Sequence, residues 1–217
     1  MPDLPDLLLA RLTSAFPAAA DPAKAAPMAA YMQHRFPFLG LSAPGRRAAA
    51  RAALAGLPAP GPAELAAVAR GCWALPEREY QQFACDYLVR HARLVEAPLL
   101  RELVTTRSWW DTVDALATRV AGVAAAPAEL DAWALDDDRW LVRTAILHQL
   151  HRGAATDTAR LFGYCTAQAG HPDFFVRKAI GWALRQYART DPDAVRGYLA
   201  AHPELSALSR REASRHL

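Results

Sequence analysis

Hydrophobic positions in this chain recur at helical spacing. In SWWDTVDALATRV, Trp109, Val113, Leu116 and Val120 fall within about 60° of one another at 100° per residue and define a buried stripe. In FFVRKAIGWALRQYAR, Val176, Ile180, Ala183, Leu184 and Tyr187 make the apolar side, while Lys178, Trp182, Arg185 and Arg189 cluster on the opposite side. WLVRTAILHQL is apolar almost all round, as an inner helix should be. Alternating β-branched runs are absent, so the class is all-α. Pro27, Pro62, Pro76, Pro172 and Pro192 each stand where a helix can open. Asp136, Asp173 and Asp191 read as caps or first-turn acids, and Leu57 to Pro62 as the clearest loop. Short helices of roughly 8 to 18 residues follow.

Comparing the chain with itself supplies the architecture. WLVRTAILHQL from Trp140 aligns with FFVRKAIGWAL from Phe174 at an offset of 34, and a further step lands on Arg211 and Ala213 in SRREASRHL. Such a period in an all-helical chain means stacked helix pairs, each repeat completing its core against its neighbours. The expectation is a single HEAT-like solenoid domain over residues 1–217, curved, with a concave face suited to an extended ligand.

Composition narrows the classes. With 217 residues and 53% hydrophobic content a sizeable core can form. No apolar run reaches membrane-spanning length and no secretory signal is legible, so a cytoplasmic protein is expected. Cys72, Cys85 and Cys165 are widely spaced, which implies neither a disulfide framework nor a structural metal. The net charge is only +3, but from His171 onward eight Arg or Lys stand against five Asp or Glu, the whole excess. Lysine occurs only at Lys24 and Lys178; the preference for arginine fits both a GC-rich genome and bidentate phosphate contacts.

Candidate chemistry lies where large side chains leave the core stripe. Trp109 is on the stripe, but Trp110 and Asp114 stand one turn apart on its flank. Ser108 and Asp111 have capping-box spacing, which gives Asp111 a structural role and leaves Asp114 either a solvated carboxylate or a functional one. Trp182 among cations reads equally as a packing tryptophan or as a ring on a phosphate-tracking face. Arg143, in an apolar arc, needs an anion: an acid such as Asp114 or Asp136 to Asp138, or a DNA phosphate. Tyr31, His34, Arg35, Arg46 and Arg47 form a second, weaker aromatic and basic group.

Six blocks, YMQHRFPFLG, LPEREYQ, SWWDTVD, WLVRTAILHQL, FFVRKAIGWALRQYA and LSRREA, resemble, in order, the AlkD-like HEAT-repeat DNA alkylation repair glycosylases of bacteria. The resemblance implies a catalytic aspartate at Asp114, active-site tryptophans at Trp110 and Trp182, a phosphate-binding arginine at Arg143 and a backbone contact at Arg185. Lys178 and Tyr31 join the expected DNA-binding set from their positions in the two basic groups. The chain ends soon after the last basic segment, where relatives can run further.

The implied activity is monofunctional hydrolysis of the N-glycosidic bond of cationic purines such as N3-methyladenine and N7-methylguanine. The protein would work as a monomer on duplex DNA at the nucleoid, without metal or cofactor and without turning the base into a pocket. A non-catalytic DNA-binding relative would not need Asp114, and a protein-interaction scaffold would not need the off-core tryptophans. A nuclease would need an acid cluster that Asp136 to Asp138, reading as helix-start residues, does not supply.

Overall fold

The computed structural model describes residues 3–217, the side chain of His216 excepted, and these residues form helices without strands. The chain divides into two compact units, Met1–Val95 and Glu96–Leu217. None of the described helices is long and apolar enough to cross a membrane.

The first unit holds α1 (Leu4–Ala18), α2 (Pro22–Tyr31), α3 (Ala43–Leu54), α4 (Pro62–Ala74) and α5 (Arg78–Arg90). Leu8, Leu12 and Phe16 of α1 are fully buried and meet Leu65, Val68 and Cys72 of α4 and Phe83 and Leu88 of α5 in one core. The YMQHRFPFLG and LPEREYQ blocks meet here. Glu79 is completely buried, and its carboxylate accepts the backbone N–H groups of Leu39, Gly40 and Leu41 at 2.9–3.1 Å. This satisfies a burial that would otherwise be prohibitive. Gly40 has φ +86°, and a Cβ there would lie 2.0 Å from the Asp21 carbonyl, so the turn admits only glycine.

The second unit is the repeat stack. It runs α6 (Ala97–Thr105), α7 (Trp110–Leu116), a π-helical turn (Ala117–Ala121) leading into α8 (Gly122–Ala124), α9 (Pro127–Trp133) and α10 (Arg139–Leu147). It continues as α11 (Thr158–Ala167), α12 (Phe174–Tyr187), α13 (Pro192–Ala201) and α14 (Ala207–Ala213). Helix α12 packs on α10 and on α14, so the internal repeat is a physical stack. Side-chain caps from Asp138, Asp173 and Ser206 open α10, α12 and α14, thirty-five and thirty-three residues apart. Ion pairs run from one repeat to the next, Arg101 to Asp136, Arg139 to Asp173 and Lys178 to Glu212.

Several expected boundaries move. Pro62 and Pro192 open helices, but Pro27 lies inside α2, which starts at Pro22, and Pro76 and Pro172 precede their helices. Asp173 and Asp191 cap, but Asp138 does so at α10; Asp136 instead receives the Asp138 N–H and the Arg101 guanidinium. The capping box at Ser108 does not form. Trp109 is the N-cap residue of α7, and the Ser108 hydroxyl turns back to the Val104 carbonyl of α6. Asp111 is left as a first-turn acid.

Candidate active site

The start of α7 is fixed by aromatic packing. Trp109 is buried with its ring 5.9 Å from that of Trp140 and 5.0 Å from that of Phe175, and those two rings are 4.9 Å apart. Edge-to-face and tilted contacts of this kind seat α7 against α10 and α12. With Trp109 turned inward and Val113, Leu116 and Val120 fully buried behind it, Trp110 and Asp114 fall half-exposed on the flank. The helix widens into its π turn immediately after Leu116, and the Thr118 hydroxyl donates to the Asp114 carbonyl at 2.7 Å. Such turns often mark functional sites because they displace one turn of side chains from the ordinary α-helical rows.

Arg143 reaches Asp114 from α10. Its Nε and Nη2 donate to the two carboxylate oxygens at 2.7 and 2.8 Å, and its Nη1 donates to the Phe175 carbonyl of α12. One guanidinium thereby ties three helices. The side chains are 2% and 18% exposed respectively, so the arginine is buried and the carboxylate partly exposed. Of the acids open to Arg143 in the sequence, Asp114 is the one it pairs with. A guanidinium has five N–H donors. Three are used here, leaving two.

Trp182 on α12 lies beside this pair. Its ring centroid is 5.5 Å from the guanidinium carbon of Arg143 and 5.9 Å from that of Arg185, within cation–π range of both. Arg185 and Lys178 do not form an unopposed basic face. Both bind Glu212 of α14, Lys178 Nζ at 2.8 Å and Arg185 Nη1 at 3.1 Å, and Arg215 joins them at 3.0 Å. Glu212 is 1% exposed; burial raises its pKa, but the Lys178 hydrogen bond and the surrounding cations outweigh that and hold it below the ordinary value. Three cations against one acid leave the cluster positive. Glu212 was missed in the sequence reading, although it stands 34 residues after Lys178, the repeat period itself.

Asp114, Arg143, Trp182, Arg185, Lys178 and Glu212 thus form one contiguous network in the second unit, with Trp110 one turn before Asp114. Tyr31 belongs to the first unit, as the last residue of α2, 72% exposed. Among the described residues no group of three or more His, Cys, Asp or Glu is placed to hold a metal ion.

An all-helical repeat stack in which a carboxylate anchored by a buried arginine lies beside an indole and a cation-rich cluster defines the class as a helical-repeat protein. The family model of DNA alkylation repair enzymes matches residues 12–217, and the chain belongs to that family. Its role is therefore in DNA repair. The solved structure of a predicted DNA alkylation repair enzyme from Enterococcus faecalis is similar over 91% of this chain and 96% of its own, with 30% identity and a TM-score of 0.82. None of the functionally curated proteins matches the chain.

Proposed function

We propose that the protein is a DNA glycosylase that hydrolyses the N-glycosidic bond of cationic alkylated purines in duplex DNA, with Asp114 as its catalytic carboxylate. The observation that carries the reading is the Asp114–Arg143 pair beside Trp182: a carboxylate held in a fixed orientation by a guanidinium and partly exposed, next to an aromatic face. Alkylation at N3 or N7 makes the base cationic, so it departs neutral and needs no proton. One carboxylate then suffices where ordinary glycoside hydrolysis uses two. As the bond stretches, positive charge builds on the deoxyribose; Asp114 stabilises it and orients the attacking water, while Trp110 and Trp182 pack against the sugar.

Glu212 does not act as a general acid, since an acid poised for that work has a raised pKa and the three cations lower this one. Lys178 Nζ is engaged by Glu212, which fits hydrolysis without a Schiff-base step. Arg143, buried at 2% exposure, anchors the carboxylate and lends its positive field to the neighbouring phosphate without leaving Asp114.

The rival reading, a DNA-binding protein without catalysis, draws on the same pair, because both Asp114 oxygens already accept from Arg143. Incubation with a duplex carrying one N7-methylguanine separates the two. Free base should be released, and Asp114→Asn should abolish release while binding to the duplex persists. Binding with no release by the wild-type protein selects the rival.

A further inference from the structure

Glu212 is a buried charge that the reaction above leaves without a task. It is 1% exposed on α14, and its carboxylate holds three cations. Lys178 Nζ at 2.8 Å and Arg215 Nη2 at 3.0 Å lie on Oε1, and Arg185 Nη1 at 3.1 Å on Oε2. Lys178, Trp182 and Arg185 stand at i, i+4 and i+7 on one face of α12, so the acid grips the residues one turn before and one turn after the indole.

Packing alone does not require this arrangement. Burying an ion pair is often no better for stability than filling the same space with apolar side chains. Bringing the acid this close also requires Gly181 in the middle of α12, a poor helix residue, because a Cβ there would lie 2.4 Å from the Glu212 Cβ. Two unfavourable choices, a buried carboxylate and a mid-helix glycine, deliver one anion to the level of Lys178 and Arg185. What they gain is geometry. Arg185 has a long side chain with many rotamers when unpaired, and here its guanidinium carbon is fixed 5.9 Å from the centroid of the Trp182 ring. Arg143, held by Asp114, lies 5.5 Å from the same ring. Two carboxylates therefore brace two arginines against one indole.

We infer that Glu212 is a positioning residue: through Arg185 it fixes the Trp182 ring beside the Asp114–Arg143 pair, without meeting substrate itself. Cation–π attraction to a guanidinium that is itself held narrows the orientations open to the ring. A ring that must pack on the deoxyribose as charge builds works only in the right place. The same carboxylate restrains attraction to an anion, since three cations against one acid leave +2 where three against none leave +3. Removing its charge should therefore loosen the ring without weakening the hold on DNA. The effect on rate rests on the proposed glycosylase function; the placement of Trp182 does not.

The test uses the full chain with Glu212→Gln, which keeps the shape and loses the charge, with Arg185→Ala, and with the two combined. Acrylamide quenching of tryptophan fluorescence reads the ring, the share of Trp182 being the difference between each variant and the same variant carrying Trp182→Phe. Single-turnover release from an N7-methylguanine duplex at saturating protein reads the rate, and anisotropy of an undamaged duplex reads the affinity. Glu212→Gln should expose Trp182 to acrylamide, slow release about 10- to 100-fold and leave duplex binding undiminished. In the Arg185→Ala background it should change neither quenching nor rate any further, because the route through Arg185 is already gone. A merely structural Glu212 would lower the urea midpoint yet leave the quenching and saturated rate of the folded protein at wild-type values, and that result overturns the inference. So does an undiminished effect in the Arg185→Ala background. If Glu212→Gln does not fold, Arg185→Gln breaks the same pair from its more exposed side, and unchanged Trp182 quenching there overturns the inference too. A wild type that releases no base defeats the glycosylase reading while quenching still decides the placement of Trp182, so the two fail separately.

Discussion

At the scale of single residues, position on a helix decides which of two like side chains is available for chemistry. Trp109 and Trp110 are neighbours, yet one is packed against Trp140 and Phe175 and the other is left on the flank with Asp114. Arg143→Met removes the anchor, strands Asp114 and forfeits the bridge to Phe175, which should cost about 3–5 kcal/mol of stability. Arg143→Lys keeps the charge but loses the fork, and should slow base release with a smaller loss of stability; urea unfolding and single-turnover rates on both variants check this. His148 is buried with its Nδ1 donating to the Ala145 carbonyl, and burial lowers its pKa from 6.5. The unfolded chain therefore binds the proton first. Stability is full above about pH 6.5 and falls as pH drops toward the folded value. Glu212, also lowered, has its stabilisation intact above its unfolded value near 4.5 and loses it in acid. Urea midpoints at pH 8 and 5.5 should fall for the wild type and fall less for His148→Gln; identical pH dependence in the two would remove His148 from the account. The flank position of Asp114 was legible because a wheel separates flank from stripe, and the burial of Arg143 because it lies in an apolar arc, where an arginine must find an anion. Which acid it found was not legible, since Asp114 and the acids of 136–138 are all compatible with a helical repeat.

At the scale of elements, the helix periods were plain in the sequence but the ends were not. Ser108 and Asp111 have capping-box spacing, yet Trp109 must be extended to turn its ring inward, and that tertiary demand moves the N-cap past Ser108. Glu212 was hidden for a related reason. Its burial depends on how closely α14 approaches α12, and a wheel drawn for one helix does not contain that distance. The clue was Gly181, where a Cβ would lie 2.4 Å from the Glu212 Cβ and 2.9 Å from the Ser209 carbonyl. Gly181→Ala should therefore destabilise the protein by about 1–3 kcal/mol through overpacking, despite alanine's better helix propensity, as read from urea midpoints. It should also weaken the hold of Glu212 on Lys178 and Arg185. A stabilised variant would mean that α14 packs more loosely than the structure has it. The caps are more local: Asp138→Ala and Asp173→Ala should each cost about 1 kcal/mol, because each carboxylate serves two backbone N–H groups at the start of its helix.

At the scale of the whole molecule, the account joins a repeat stack to a reaction that needs little from the base. Under the proposed function, catalysis through Asp114, Trp110 and Trp182 on sugar and phosphate depends on the lesion's own charge for leaving-group activation. Each 1.36 kcal/mol of activation lost costs a factor of ten, so cationic and neutral lesions should separate by orders of magnitude. The repeat was visible as a 34-residue offset in the sequence, and α10, α12 and α14 confirm it as stacked helices. The division into two compact units was not visible, because Val95 and Glu96 fall in a stretch without Gly or any marked change of composition. The most direct measurement is single-turnover base release from matched duplexes that differ only in carrying N7-methylguanine or hypoxanthine, by the wild type and Asp114→Asn. The account predicts rapid release of N7-methylguanine by the wild type, near-inert hypoxanthine, and no release by the variant although it binds both duplexes. Comparable release of the two lesions, or a wild-type rate from Asp114→Asn, would contradict it.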